Sequence, residues 1–170
     1  MKKLIALTLF VSLFTAVTVS AQDKSKRPSP PALVKETTKS GTTITIDYSQ
    51  PSLKGRKVGG EVAPFGKVWR TGANEATIFE IDKAVKVEGK ALAAGKYSLY
   101  TIPGEKEWTV IFNSTWKQPG TQYNESTDVL RVTVKPGKAA AETEKMTFTI
   151  DKSGKVSLLW GQTAVAFNVK

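Results

Sequence analysis

Apolar residues recur at every second position along most of this chain. Ile44, Ile46 and Tyr48 alternate through TTITIDY, Trp108, Val110 and Phe112 through EWTVIFN, and Leu130, Val132 and Val134 through DVLRVTV. Met146, Phe148 and Ile150 follow in MTFTI, then Val156, Leu158 and Trp160 in KVSLLW, and Val165, Phe167 and Val169 in AVAFNV. Thr77, Phe79 and Ile81 form a further such run. Side chains along a strand point to opposite faces in turn, so alternation rich in β-branched and aromatic residues predicts strands with one buried face. Ser40-Gly41, Pro103-Gly104, Pro136-Gly137 and Ser153-Gly154 supply turn chemistry between the runs. Gly161-Gln162, between two short runs, is expected to form a tight hairpin with Gly at its first central position. PGKAAAETEK alone has a helical composition, and it is too short and proline-led for a stable helix. The spacing predicts an all-β, single-domain antiparallel β-sandwich, jelly-roll-like, with no internal repeat.

The first residues follow another pattern. Lys2 and Lys3 precede the apolar run LIALTLFVSLFTAVTV, and Val19 and Ala21 place small residues before a boundary. A basic start, an apolar core and small residues at the cleavage site define a secretory signal peptide. The competing reading, a membrane anchor, needs about 20 apolar residues to span a bilayer, and this run is shorter. The expected organisation is a signal peptide at 1–21, an extended proline-rich leader at 22–32 and the sandwich at 33–170. That places the mature protein in the periplasm or outside the cell, with no stable membrane insertion.

Composition narrows the chemistry. The 170 residues include no histidine and no cysteine, which excludes a Ser-His-Asp triad, a Cys-His pair and an ordinary zinc site. Carboxylate chemistry and oxygen-ligand calcium sites survive that test, yet no run has the pattern of a calcium loop or a phosphate-cradling loop. No cofactor, metal ligand or catalytic residue is therefore assigned. The formal charge of +10 falls to +8 without Lys2 and Lys3. The lysines are scattered singly, as on a solvated surface, so nucleic acid is not an expected partner.

Arginine is used only four times, against 21 lysines. A planar guanidinium grips carboxylate or phosphate through two parallel hydrogen bonds, so its placement is informative. Arg131 alternates with Leu130 and Val132 and belongs on the polar face of its strand, where a cross-strand ion pair competes with a ligand role. VWRTGANEAT gathers Trp69, Arg70, Thr71, Asn74 and Glu75 around Gly72. Gly72 suits a turn that a side chain would block, and Asn74 tolerates the left-handed region. Such a set suits a polar ligand with an aromatic wall, and equally an Arg70–Glu75 clamp closing the turn.

The stretches IDYSQPSLKGRKV, GKVWRTGANEATIF, VEGKALAAGKYSLYTIP, EWTVIFN and DVLRVTV resemble the bacterial family of domain of unknown function 2911 (DUF2911). The resemblance covers about Arg27 to Val169. It implies export and a single domain, assigns no catalytic residue, and marks Arg56, Arg70, Asn74, Glu75 and Tyr97 as motif residues.

The expected function is non-enzymatic binding of a glycan or other envelope component, with Arg56, Trp69, Arg70, Thr71, Asn74, Glu75, Tyr97 and Arg131 as candidate binding residues. Tyr48, Trp69, Tyr97, Tyr100, Trp116 and Tyr123 are candidate aromatic platforms. The alternatives are a carbohydrate hydrolase using Glu75 and Asp128, which needs carboxylates about 5–9.5 Å apart, and a purely structural envelope protein. The leading pattern makes one direct prediction: the exported protein begins at Gln22. N-terminal sequencing checks it, and a mature chain that retains Met1 would return the anchor reading.

Overall fold

The computed structural model describes residues 23–170, so the expected signal peptide and its cleavage site lie outside the described residues. Twelve strands follow in chain order: β1 (Pro31–Thr37), β2 (Thr43–Ser49), β3 (Val58–Gly59), β4 (Val62–Pro64), β5 (Thr77–Ile81), β6 (Val85–Val87), β7 (Lys90–Leu92), β8 (Gly95–Ile102), β9 (Trp108–Asn113), β10 (Asp128–Val134), β11 (Gly137–Ile150) and β12 (Lys155–Asn168). Short 3-10 turns at Lys24–Lys26 and Glu125–Thr127 are the only helical pieces among the described residues. The fold is all-β.

Six strands form one antiparallel sheet in the order β1-β2-β5-β8-β9-β10. The small pairs β3–β4 and β6–β7 are excursions from this meander. The long hairpin β11–β12 forms the opposing layer. The expected turns fall at strand junctions: Gly41 after β1, Pro103-Gly104 after β8, Pro136 between β10 and β11 with Gly137 opening β11, and Gly154 after β11.

The alternating residues meet between the layers. Ile44, Ile46, Phe79, Leu99, Val110 and Phe112 from the sheet are buried with Met146, Phe148, Val156, Leu158 and Phe167 from the hairpin. Aromatic rings join the two sides edge to face: Tyr48 to Phe148 at 5.0 Å and Phe112 to Phe167 at 5.8 Å between centroids. Trp69 stacks on Trp160 at 5.5 Å, and its ring is also met edge-on by Trp108. Each such pair adds roughly 0.5–1.5 kcal/mol beyond the apolar area that it buries.

Two expectations change in the hairpin. Gly161-Gln162 makes no turn, because β12 runs unbroken from Lys155 to Asn168. Gly161 instead sits at φ +59 where the pairing register shifts. The chain takes nine steps from Lys138 to Thr147 on β11, against four from Leu159 to Thr163 on β12. The surplus of five falls mainly within AAAETE, part of the run with helical composition, which is extended and largely exposed. Small and charged residues with no apolar alternation have no face to bury, so this part of β11 bulges from the ladder.

Tyr48 also carries a polar link across the layers, its hydroxyl accepting the Phe148 N–H at 3.0 Å. Tyr48→Phe leaves that buried donor unpaired and should destabilise the protein by about 1–3 kcal/mol. Urea unfolding of the two proteins measures the difference.

Candidate functional site

The turn at 68–77 is built from the sheet outward. Trp69 and Thr101 exchange N–H···O bonds of 2.8 and 2.9 Å, so this segment runs beside β8 as a fragment of strand. Alternation then sends Trp69 inward to Trp160 and Arg70 outward. Thr71 is buried at φ +52, with its hydroxyl 3.1 Å from that of Thr101 and its carbonyl accepting from the Thr77 hydroxyl at 2.8 Å. Gly72 is required by proximity: a Cβ there would lie 2.7 Å from Thr77 Oγ1. Asn74 adopts the left-handed region, φ +59, as its residue type allows.

The expected Arg70–Glu75 clamp does not form. Two left-handed residues, Thr71 and Asn74, lie within the turn and send the two side chains apart. Glu75 is gripped by Arg27, whose Nη1 donates to both carboxylate oxygens at 2.9 and 3.0 Å, with Lys24 at 3.6 Å. Asn74 Nδ2 donates to the Ser29 carbonyl, and the Gln50 amide to that of Pro30. The turn thus holds the leader. Arg27, bonded to the Glu75 carboxyl, keeps it below its usual range.

Arg131 is outward-facing, as expected, but its ion pair lies along its own strand and not across to another. Its Nε donates to Asp128 Oδ2 at 2.8 Å, and its Nη2 reaches the Tyr123 hydroxyl at 2.7 Å and Glu125 at 3.0 Å. Tyr123 donates to Asp128 at 2.6 Å, and Asn113 Nδ2 donates to the other Asp128 oxygen. Tyr97 is a buried strand residue: its hydroxyl donates to the Ala93 carbonyl and its ring meets Phe112 edge-on. Of the other aromatic candidates, Tyr48 and Tyr100 are buried, whereas Trp116 is exposed, with Lys96 Nζ 5.3 Å above its ring.

Glu75 lines only a small hollow of about 130 Å3 with Arg27 and Tyr48, whereas Arg56 lines a larger cleft. The Arg56 Nε and Nη2 donate to the carbonyls of Leu53 and Ser52, both at 2.9 Å. That loop is itself pinned to β11, since Leu53 donates its amide to Glu144 and Ser52 bridges to Lys145. The cleft, about 340 Å3, runs between Leu53, Arg56, Lys57 and Val58 on one side and Glu142, Gly161, Gln162 and Thr163 on the other. A second hollow of about 370 Å3 shares Val58, Gln162 and Thr163 and extends past Phe65 and Lys138. Both volumes fall in the lower range of small-ligand sites. Glu142, Gln162 and Lys138 have no place in the strand pattern, and only the misplaced Gly161 within β12 signals that the hairpin opens here.

The fold and cleft define an all-β sandwich with a polar groove along the bulged hairpin. The chain belongs to the DUF2911 family, described as a protein of unknown function, whose model matches residues 29–169. No curated protein and no solved structure matches it.

Two outcomes follow from this geometry. Glu75 is half exposed, so Glu75→Gln should cost no more than about 1 kcal/mol while releasing residues 23–30 to faster amide hydrogen exchange. Burial, with Asp128 as acceptor, pushes the Tyr123 phenol up from 10.0 to about 12. Between those values the folded protein keeps a proton that the unfolded chain has released. This contribution to stability is therefore complete below about pH 10 and lost as pH rises through about 12. Unfolding across that window should show a shallower alkaline loss for Tyr123→Phe than for the wild type.

Proposed function

We propose that this protein is an exported, non-enzymatic binder of a glycan of the cell envelope, and that the Arg56 cleft is its binding groove. The observation that carries this reading is the pinned arginine. Two backbone carbonyls fix the guanidinium, and Nη1 has no partner among the described residues. Donors held in advance lower the ordering cost of binding. Gln162, Thr163 and Glu142 add donors and acceptors along the same groove, beside apolar Leu53 and Val58. Sugar rings present that combination, hydroxyls at the rim and C–H groups on the face. Two joined hollows suit an extended chain over a compact molecule.

The hydrolase alternative draws no support from its two carboxylates. A general acid needs a raised pKa, and Arg27 lowers that of Glu75. Asp128 already accepts bonds from Asn113, Tyr123 and Arg131.

Titration calorimetry against soluble envelope oligosaccharides tests the proposal. Arg56→Ala should weaken binding at least tenfold, about 1.4 kcal/mol, with unfolding unchanged within about 1 kcal/mol, and no reducing ends should be released by the wild type. Equal binding by the variant would remove the cleft from the function. Release of products would restore the hydrolase.

A further inference from the structure

Arg70 is the one arginine whose charge the described chain does not answer. Arg27 has Glu75, Arg56 has two carbonyls and Arg131 has Asp128, Glu125 and Tyr123. The Nε of Arg70 is buried without a hydrogen-bond partner among the described residues. Glu75, Asp128 and Glu80 on its side of the sheet are engaged with Arg27, Arg131 and Lys96, and none of them pairs with Arg70.

The surroundings are built to this arginine. A Cβ at Gly120 would lie 2.0 Å from Arg70 Cδ, 3.0 Å from its Nε and 2.7 Å from the Asn74 carbonyl, so the 114–124 loop closes on the side chain only because it has a glycine there. The loop is fastened on either side of that point. Gln118 donates its amide to the Tyr100 hydroxyl, which donates to the Gln122 carbonyl. Thr71, which follows Arg70, supplies an independent sign. A β-branched residue at positive φ is a genuine outlier, and strain of this kind gathers at ligand clamps. Here it is held by the Thr101 and Thr77 hydroxyls.

A merely space-filling stem would be met by leucine or methionine, and a solvated charge by one of the lysines that this chain uses freely. With Nε enclosed under Gly120, the terminal Nη1 and Nη2, which donate to no group of the described residues, are left to fit oxygens arriving from outside. We infer that Arg70 is the anchor of an oxyanion site on the outer face of the six-stranded sheet, taking a carboxylate or phosphate group. The site is separate from the Arg56 cleft and stands or falls independently of it.

The scarcity of arginine makes the test direct. Four arginines give four Nε–Hε signals in a proton–nitrogen spectrum of the labelled protein. Arg27→Lys, Arg56→Lys and Arg131→Lys assign three, which leaves Arg70 identified without altering it. Inorganic phosphate and glucuronate are then titrated separately, with chloride at matched ionic strength as the control. The expected result is a saturable shift of the Arg70 signal with at least one of them, not followed by the other three. A response to phosphate alone identifies a free or esterified phosphate, and one to glucuronate alone an acidic sugar. Arg70→Lys should then weaken the binding at least tenfold. An Arg70 signal that stays still, or drifts with salt as the others do, overturns the inference and leaves a structural cation. A saturable shift confined to Arg56 would overturn it too, while supporting the cleft.

Discussion

The rest of the molecule depends on the aromatic contact between two layers that share no ladder. Hairpin β11–β12 forms a sheet of its own, and a lone two-stranded hairpin is marginal in water. What fixes it is burial of Phe148, Trp160 and Phe167 against Tyr48, Trp69, Phe79 and Phe112. The groove lies along the part of this hairpin where pairing lapses. Trp160 itself lines the groove, so its stack on Trp69 ties the groove wall directly to the core.

Trp69 and Arg70 show how adjacent residues tie opposite faces of one sheet together. One ring lies in the core against Trp160, and the next side chain lies outside against Gly120. A disturbance on either face reaches the other through a single peptide unit. The backbone around that unit has little slack, because Thr71 is already held in an unfavoured region.

Legibility in the sequence followed physical range. Alternation is local, so the inward set from Ile44 to Val169 could be read from period alone, as could the outward placement of Arg131. AAAETE could not, because its own propensity is helical and it is held extended only by sparse pairing, at Thr143 within it and at Lys138 and Thr147 on its flanks. The partner of Glu75 lies 48 residues away in Arg27, a distance at which residue type says that a carboxylate wants a cation and nothing says which. Arg56 was visible as an unusual arginine. The Glu142 and Gln162 wall opposite it arises only when the hairpin docks. Asn74 was correctly suited to the left-handed region, while Thr71 beside it defies its own type and could be found only in the folded chain.

The order of the layers along the chain shapes how the molecule comes to exist. All six strands of the large sheet are complete by Val134, and the hairpin that covers them begins at Gly137. Until that hairpin docks, the sheet presents Ile46, Phe79, Val110 and Phe112 to water on its inner face. A half-built sheet of this sort sticks to its own kind. How soon the Ser153-Gly154 turn brings β11 and β12 together therefore sets how long that face stays open to water.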